Sequence, residues 1–134
     1  MKSLLFIFTL VVTFSSLSQG TDGFTIVTDN QLRIDTLSND DNYSPEHNQQ
    51  FFIVNFKDST LTNITYNTSL VYIIDFYNEE NDEYIINTKI DQNFYFTLII
   101  SKKDYTILEY SYSKNNFLSC YEYSDSKVIP LIKL

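Results

Sequence analysis

Few side chains here are suited to bond-making chemistry. The chain has one histidine, His47, and one cysteine, Cys120. A Ser-His-Asp triad needs only one histidine, but the Gly-x-Ser-x-Gly turn that presents a nucleophilic serine is absent. Two-histidine acid–base chemistry and histidine-rich zinc sites are excluded by count. Glycines stand only at positions 20 and 23, so neither a phosphate-cradling loop nor a dinucleotide fingerprint can be built. Carboxylates are plentiful, 17 Asp and Glu, but no pair is singled out as the two acids of a glycoside hydrolase. The run Asn78-Glu79-Glu80-Asn81-Asp82-Glu83 offers calcium oxygen ligands yet lacks the spacing and glycine of an EF-hand. No catalytic residue, metal or cofactor is expected, and His47 reads as an exposed loop residue. The expectation is a non-enzymatic protein.

Cys120 has three readings: a buried thiol acting as a small apolar residue, an intermolecular disulfide making a dimer, or a reactive thiol. The compartment gives the question weight. Met1-Lys2, an apolar run over 4–14 and the small residues around Ser18-Gln19-Gly20 read as a secretory signal peptide over 1–20. That apolar centre is too short for a stable membrane span. A single domain over 21–134 would then be secreted to the extracellular space with no possible intrachain disulfide. A domain of that length can bury about two-thirds of its unfolded surface, enough for one continuous core.

Three sequons follow from the same compartment, at Asn42, Asn63 and Asn67, as potential glycan sites. Pro45 follows the first and tends to impair its acceptance. The formal charge is −8, one unit more negative once Lys2 leaves with the signal. Such a surface repels phosphate backbones and anionic headgroups, so nucleic acid and membranes are poor partners. The 11 Tyr and 11 Phe accompany an absence of Ala and Trp and a single Arg, a bias that tracks AT-rich codons. The aromatic wealth therefore reads first as base composition and second as binding surface.

The elements that must position these groups read as strands. Tyr, Phe, Ile, Val and Thr suit a pleated, half-buried surface. Period-two alternation runs through 24–28, 32–35, 84–90, 94–101 and 108–112. Asp29-Asn30 suits a tight turn between the first two runs. The runs 51–56 and 70–77 are apolar on both faces and read as strands covered on both sides. No stripe of helical period carries caps, so helix should be minor. Pro130 confines the run 128–134 to an edge or a tail. The links after residue 70 are short, at 78–83, 91–93, 102–104, 113–116 and 124–127, which implies antiparallel neighbours in an up-and-down meander. Eight or nine strands result, and the fold class is all-β, a small barrel in preference to a β-sandwich.

Two links are longer, 38–50 and 58–69. Alternating ends would group 58–69 with 91–93 and 113–116, at a sugar-bearing end. Asp40, Asp41, Glu46, Glu79, Glu80, Asp82 and Glu83 would gather at the other, and a ligand or partner would enter there. Lys103-Asp104-Tyr105 leading to Glu109-Tyr110-Ser111 is similar to the Asp-Tyr…Tyr pattern near a late barrel strand of the lipocalins. The resemblance implies a secreted up-and-down meander. The family's amino-terminal Gly-x-Trp, its disulfides and its late helix have no counterpart here.

A closed meander encloses a space lined by alternate residues. Tyr72, Phe76, Phe94, Phe96, Tyr110 and Tyr112 are expected on the inward face, as core or as the wall of a site for a small apolar or aromatic ligand. The alternative is a sandwich whose acidic, tyrosine-bearing surface engages a basic extracellular protein at salt-dependent rates.

Overall fold

Alternation of apolar and polar residues becomes, in the computed structural model, eight strands rolled into one closed barrel. The structure describes residues 22–35 and 45–131. The strands are β1 (Gly23–Arg33), β2 (Glu46–Asn55), β3 (Thr60–Ile64), β4 (Ser69–Glu80), β5 (Glu83–Lys89), β6 (Phe94–Ser101), β7 (Ile107–Ser113) and β8 (Asn116–Ile129). Each pairs antiparallel with the next, and β8 returns to β1 from Thr25↔Ile129 to Arg33↔Tyr121. Closure leaves no unpaired sheet edge. The β-sandwich alternative is thereby overturned.

Tight hairpins fold the sheet despite the shortage of glycine. β4 and β5 are joined by Asn81-Asp82, at φ 52° and 60°, and β7 and β8 by Lys114-Asn115, at 50° and 66°. Two successive left-handed residues match the twist of the flanking strands, and Asn and Asp adopt that conformation more readily than most side chains. Gly23 is required where it stands. Its φ is +149°, and a Cβ there would sit 2.0 Å from the Val54 carbonyl oxygen.

Register shifts between Thr28 and Asn30, between Ile74 and Phe76, and between Ser111 and Tyr112 mark bulges that bend the strands round the barrel. They also revise the reading of several segments. Asp29-Asn30 forms no turn; β1 runs straight through it. The link 124–127 lies inside β8, where Asp125 takes φ 53°. The link 58–69 contains β3, closed by short turns at 56–59 and 65–68. β8 ends one residue before Pro130.

The extra strand changes which loops share an end. Residues 65–68, 90–93 and 114–115 lie at one end, here the upper, with the end of β1 and the start of β2. Turns 56–59, 81–82 and 102–106 lie at the lower end. Glu46 thus lies at the same end as the sequon at Asn67, whereas Glu79, Glu80, Asp82 and Glu83 gather at the lower end, where no described sequon lies. Asp40, Asp41 and Asn42 lie outside the described residues.

The barrel's waist is packed solid. Ile26, Val54, Leu61, Ile86, Leu98, Ile100 and Ile107 are all 0% exposed, with Phe52 at 1%. Each such side chain contributes about 1.5–3 kcal/mol when fully buried. β2 is covered on both faces, since Ile53 is buried beside Phe52 and Val54. β4 is not. Val71, Ile73 and Phe76 lie on its outer face, 64%, 57% and 55% exposed, against the expectation of double cover.

Candidate ligand site in the upper barrel

Below the waist the inner wall is aromatic. Phe24 packs on Phe56 at 5.8 Å and on Tyr84 at 5.1 Å, and Phe56 lies 4.1 Å from Tyr77. Lys102 seals this cluster from the turn at 102–106. Its Nζ sits 4.7 Å over the Tyr84 ring and 2.6 Å from Glu79, which also accepts the Tyr77 hydroxyl. Burial and the neighbouring Glu79 push the ionisation of both tyrosines up. These four rings, each partly exposed, occupy the lower end.

The upper half has a different wall. β7 presents Ile107, Glu109 and Ser111 inward, so a carboxyl group stands directly above the packed waist. Glu109 pairs across the sheet with Leu98 on β6 and Tyr121 on β8. The Tyr123 hydroxyl donates to its Oε1 at 3.4 Å. Burial pushes the Glu109 carboxyl up to about 7, with the Tyr123 bond pulling the other way. No cation among the described residues forms an ion pair with it. Its charge and the burial of Tyr72 raise that tyrosine's ionisation.

Aromatic faces surround this carboxyl. Tyr72 on β4 meets Phe96 on β6 edge-on, with centroids 4.7 Å apart. Tyr123 packs on Phe52 at 4.9 Å and lies stacked 6.3 Å from Tyr121. Phe96 fits because its cross-strand neighbours are small: Thr88 on one side, Ser111 on the other, and Ser119 beyond it.

Carboxamides finish the wall on β1–β3. Asn48 and Gln50 both donate to Gln31 Oε1, at 2.6 and 3.1 Å, and Asn63 donates to Gln50 Oε1 at 3.1 Å. Below them Thr28 and Ser126, paired in register, keep buried hydroxyls with no hydrogen-bond partner. Glu109, Tyr72, Tyr121 and Asn63 are each partly exposed, whereas the waist beneath them is dry. Chemically, the inner wall of the upper barrel combines aromatic faces, one carboxyl group and a fringe of amides.

Of the six residues expected on the inward face, three are there. Tyr72 and Phe96 touch, and Phe94 follows the same face of β6 at the rim. Phe76 is on the outer wall because Asp75 is bulged out of the β4–β5 pairing, which turns Tyr77 inward in its place. Tyr110 and Tyr112 are also outside. Their face of β7 carries Tyr112 stacked on Tyr95 at 5.1 Å and edge-on to Phe117 at 6.0 Å. Glu109 is the residue that reasoning from aromatic content passed over. The signal for it was the stretch Ile107-x-Glu109-x-Ser111, a face with the small residue that Phe96 needs opposite it.

The remaining candidates are placed plainly. His47 is exposed, on β2 rather than in a loop. Cys120 is a free thiol, 3% exposed on the outer face between β7 and the end of β1. Its N–H donates to Asp35 Oδ1 at 2.9 Å, and burial raises its thiol. Asn63 is not in a loop but in β3, with its amide nitrogen turned onto Gln50. Asn67 is exposed in the turn at 65–68, its Oδ1 accepting from Thr65. Asp104 and Tyr105, which carry the lipocalin likeness, lie in the turn before β7, where Asp104 caps the Thr106 N–H at 3.0 Å. Among the described residues no group of three His, Cys, Asp or Glu is placed to hold a metal ion.

The fold is a closed eight-stranded up-and-down β-barrel whose lower end holds an aromatic cluster. Compared with known proteins, the chain matches no family model, no curated protein and no solved structure.

Proposed function

We propose that this is a secreted, non-enzymatic binding protein that holds a small ligand with an apolar or aromatic body in the upper half of its barrel. The observation that carries the reading is the change of wall across the waist. Above the aliphatic waist the wall adds one carboxyl, Glu109, and the amides from Gln31 to Asn63 to the rings of Tyr72, Phe96 and Tyr121, with Tyr72, Tyr121 and Glu109 partly exposed. Concave sites lined by aromatic faces with a few convergent polar groups suit small molecules. Among the described residues Glu109 has neither a second carboxylate nor a histidine hydrogen-bonded to it.

Calorimetric titration with phenethyl alcohol, a neutral aromatic probe, tests the reading. Wild-type protein should bind it, Phe96→Ala should weaken binding at least tenfold, and Phe76→Ala should leave it unchanged. Equal effects of the inner and outer substitutions would contradict it.

One observation favours a second reading, contact with a basic extracellular protein. Val71, Ile73 and Phe76 form an exposed apolar stripe on β4, flanked by Asp75 and Glu80. Capture that weakens steeply with salt would support it, because acidic surfaces steer basic partners at salt-dependent rates.

A further inference from the structure

The upper barrel contains one feature that a purely apolar ligand does not need. A carboxyl group is costly to bury unless it is neutralised or paired, yet Glu109 stands on the inner wall with only a long hydrogen bond from Tyr123. We infer that Glu109 is the anchor for the ammonium group of a small aromatic amine, whose ring lies against Tyr72, Phe96 and Tyr121. This rests on the reading of the upper barrel as a ligand site and specifies the ligand's chemistry.

Three observations converge on the amine. First, no side chain among the described residues forms an ion pair with Glu109. β6 turns Leu98 and Phe96 towards it, β8 turns Tyr121 and Tyr123, and β4 contributes Tyr72. The nearest basic side chain along its cross-strand row, Arg33 on β1, is engaged elsewhere. Its guanidinium lies 5.8 Å over the Tyr121 ring and is paired with Asp35 at 3.0 Å. Among the described residues Glu109 is therefore left without an ion-pair partner, a place that a ligand's cation can take.

Second, the rings are those that accept a cation. Ammonium groups are attracted to the faces of tyrosine and phenylalanine as well as to a carboxylate. Third, the opposite wall carries amide oxygens and nitrogens already linked in a chain from Asn48 through Gln31 and Gln50 to Asn63. That wall is polar without net charge, so it orients a ligand without competing for its ammonium.

Protonation gives the site a signature. Glu109 titrates near pH 7, so it is largely protonated at pH 6 and largely ionised at pH 8. An aliphatic ammonium stays charged across that range. Amine affinity should therefore rise about tenfold from pH 6 to pH 8, and binding near pH 7 should release a proton from Glu109.

The test compares phenethylamine with phenethyl alcohol on wild-type protein, Glu109→Gln and Phe96→Ala. The anchor predicts that wild-type protein prefers the amine at least tenfold at pH 8. Glu109→Gln should abolish that preference and its pH dependence while leaving the alcohol's affinity in place. Phe96→Ala should weaken both probes together. Equal affinity of wild-type protein for amine and alcohol would overturn the anchor and leave the ligand site standing. Failure of both probes to bind a folded wild-type protein would overturn both.

Discussion

The hydroxyl of Tyr123 donates to Glu109 Oε1 from the neighbouring strand, at 3.4 Å, just above a waist of aliphatic side chains with no exposure. Both groups are displaced by their burial: the Glu109 carboxyl rises to about 7 and Tyr123 rises well beyond an ordinary phenol. This pair is the polar centre of the barrel, and its consequences are measurable in stability as well as in binding.

Glu109 makes the folded state pH-sensitive. In the unfolded chain it ionises near a normal glutamate value, about 4.3, and in the barrel only near 7. The folded state therefore holds a proton that the unfolded chain has lost between those values. Its stabilising contribution is present below about pH 4.3 and is lost as pH rises through 7, a change of about 4 kcal/mol. Urea unfolding of wild type and Glu109→Gln at pH 5, 6 and 8 measures it. The variant should gain on wild type as pH rises. A constant difference between the two would contradict the burial argument.

Gly23 should tolerate no side chain. A methyl group there meets the Val54 carbonyl oxygen at 2.0 Å, and both partners are backbone in paired strands. Gly23→Ala should cost at least about 2 kcal/mol in denaturant unfolding. A loss within ~0.5 kcal/mol would mean that β1 starts differently.

Inner and outer aromatics should separate cleanly. Phe96 is 5% exposed and Phe76 is 55% exposed. Phe96→Ala should cost about 3–5 kcal/mol of stability, whereas Phe76→Ser should change it by no more than about 0.5 kcal/mol. The contrast checks the bulge at Asp75 directly, because without it the two residues would share a face.

The two described sequons should behave differently during secretion. Asn67 is exposed in a turn, whereas the Asn63 amide nitrogen is hydrogen-bonded to Gln50 and to the Phe51 carbonyl inside the barrel. Expressed through a eukaryotic secretory pathway, the protein should lose glycan mass on Asn67→Gln and none on Asn63→Gln. Glycan at Asn63 would require β3 to be modified before it pairs.

Cys120 should be silent in the folded state. Its thiol is 3% exposed and its ionisation is raised by burial. Thiolate is the reactive form, so a thiol reagent should label Cys120 only after denaturation. The folded protein should run as a monomer on a non-reducing gel, and a reducible dimer band would contradict this placement.

Strand patterning made most of the fold legible in the sequence. The alternation over 84–90 and 94–101 places Ile86, Leu98 and Ile100 on one face, and the short links after residue 70 imply the meander. What alternation does not carry is phase: it separates two faces of a strand without saying which is inside. On β7 the aromatic face was the natural choice for the interior. Packing chose the other, because Phe96 already fills the space and needs Ser111 opposite. Bulges are equally silent. The extra Asp75 moved Phe76 out and Tyr77 in, and five-residue β3 was hidden in a polar, sequon-rich stretch that reads as a loop. Glu109 was passed over for a related reason. A lone glutamate in a strand reads as a solvated face unless its neighbours are already known to be core.

The most direct measurement is native mass spectrometry of the protein as secreted, deglycosylated and kept non-reducing. The account predicts a monomer carrying one small molecule, whose extra mass disappears on denaturation and is missing from the Phe96→Ala variant. An unliganded mass for wild-type protein, alongside salt-sensitive capture of a basic protein, would contradict it.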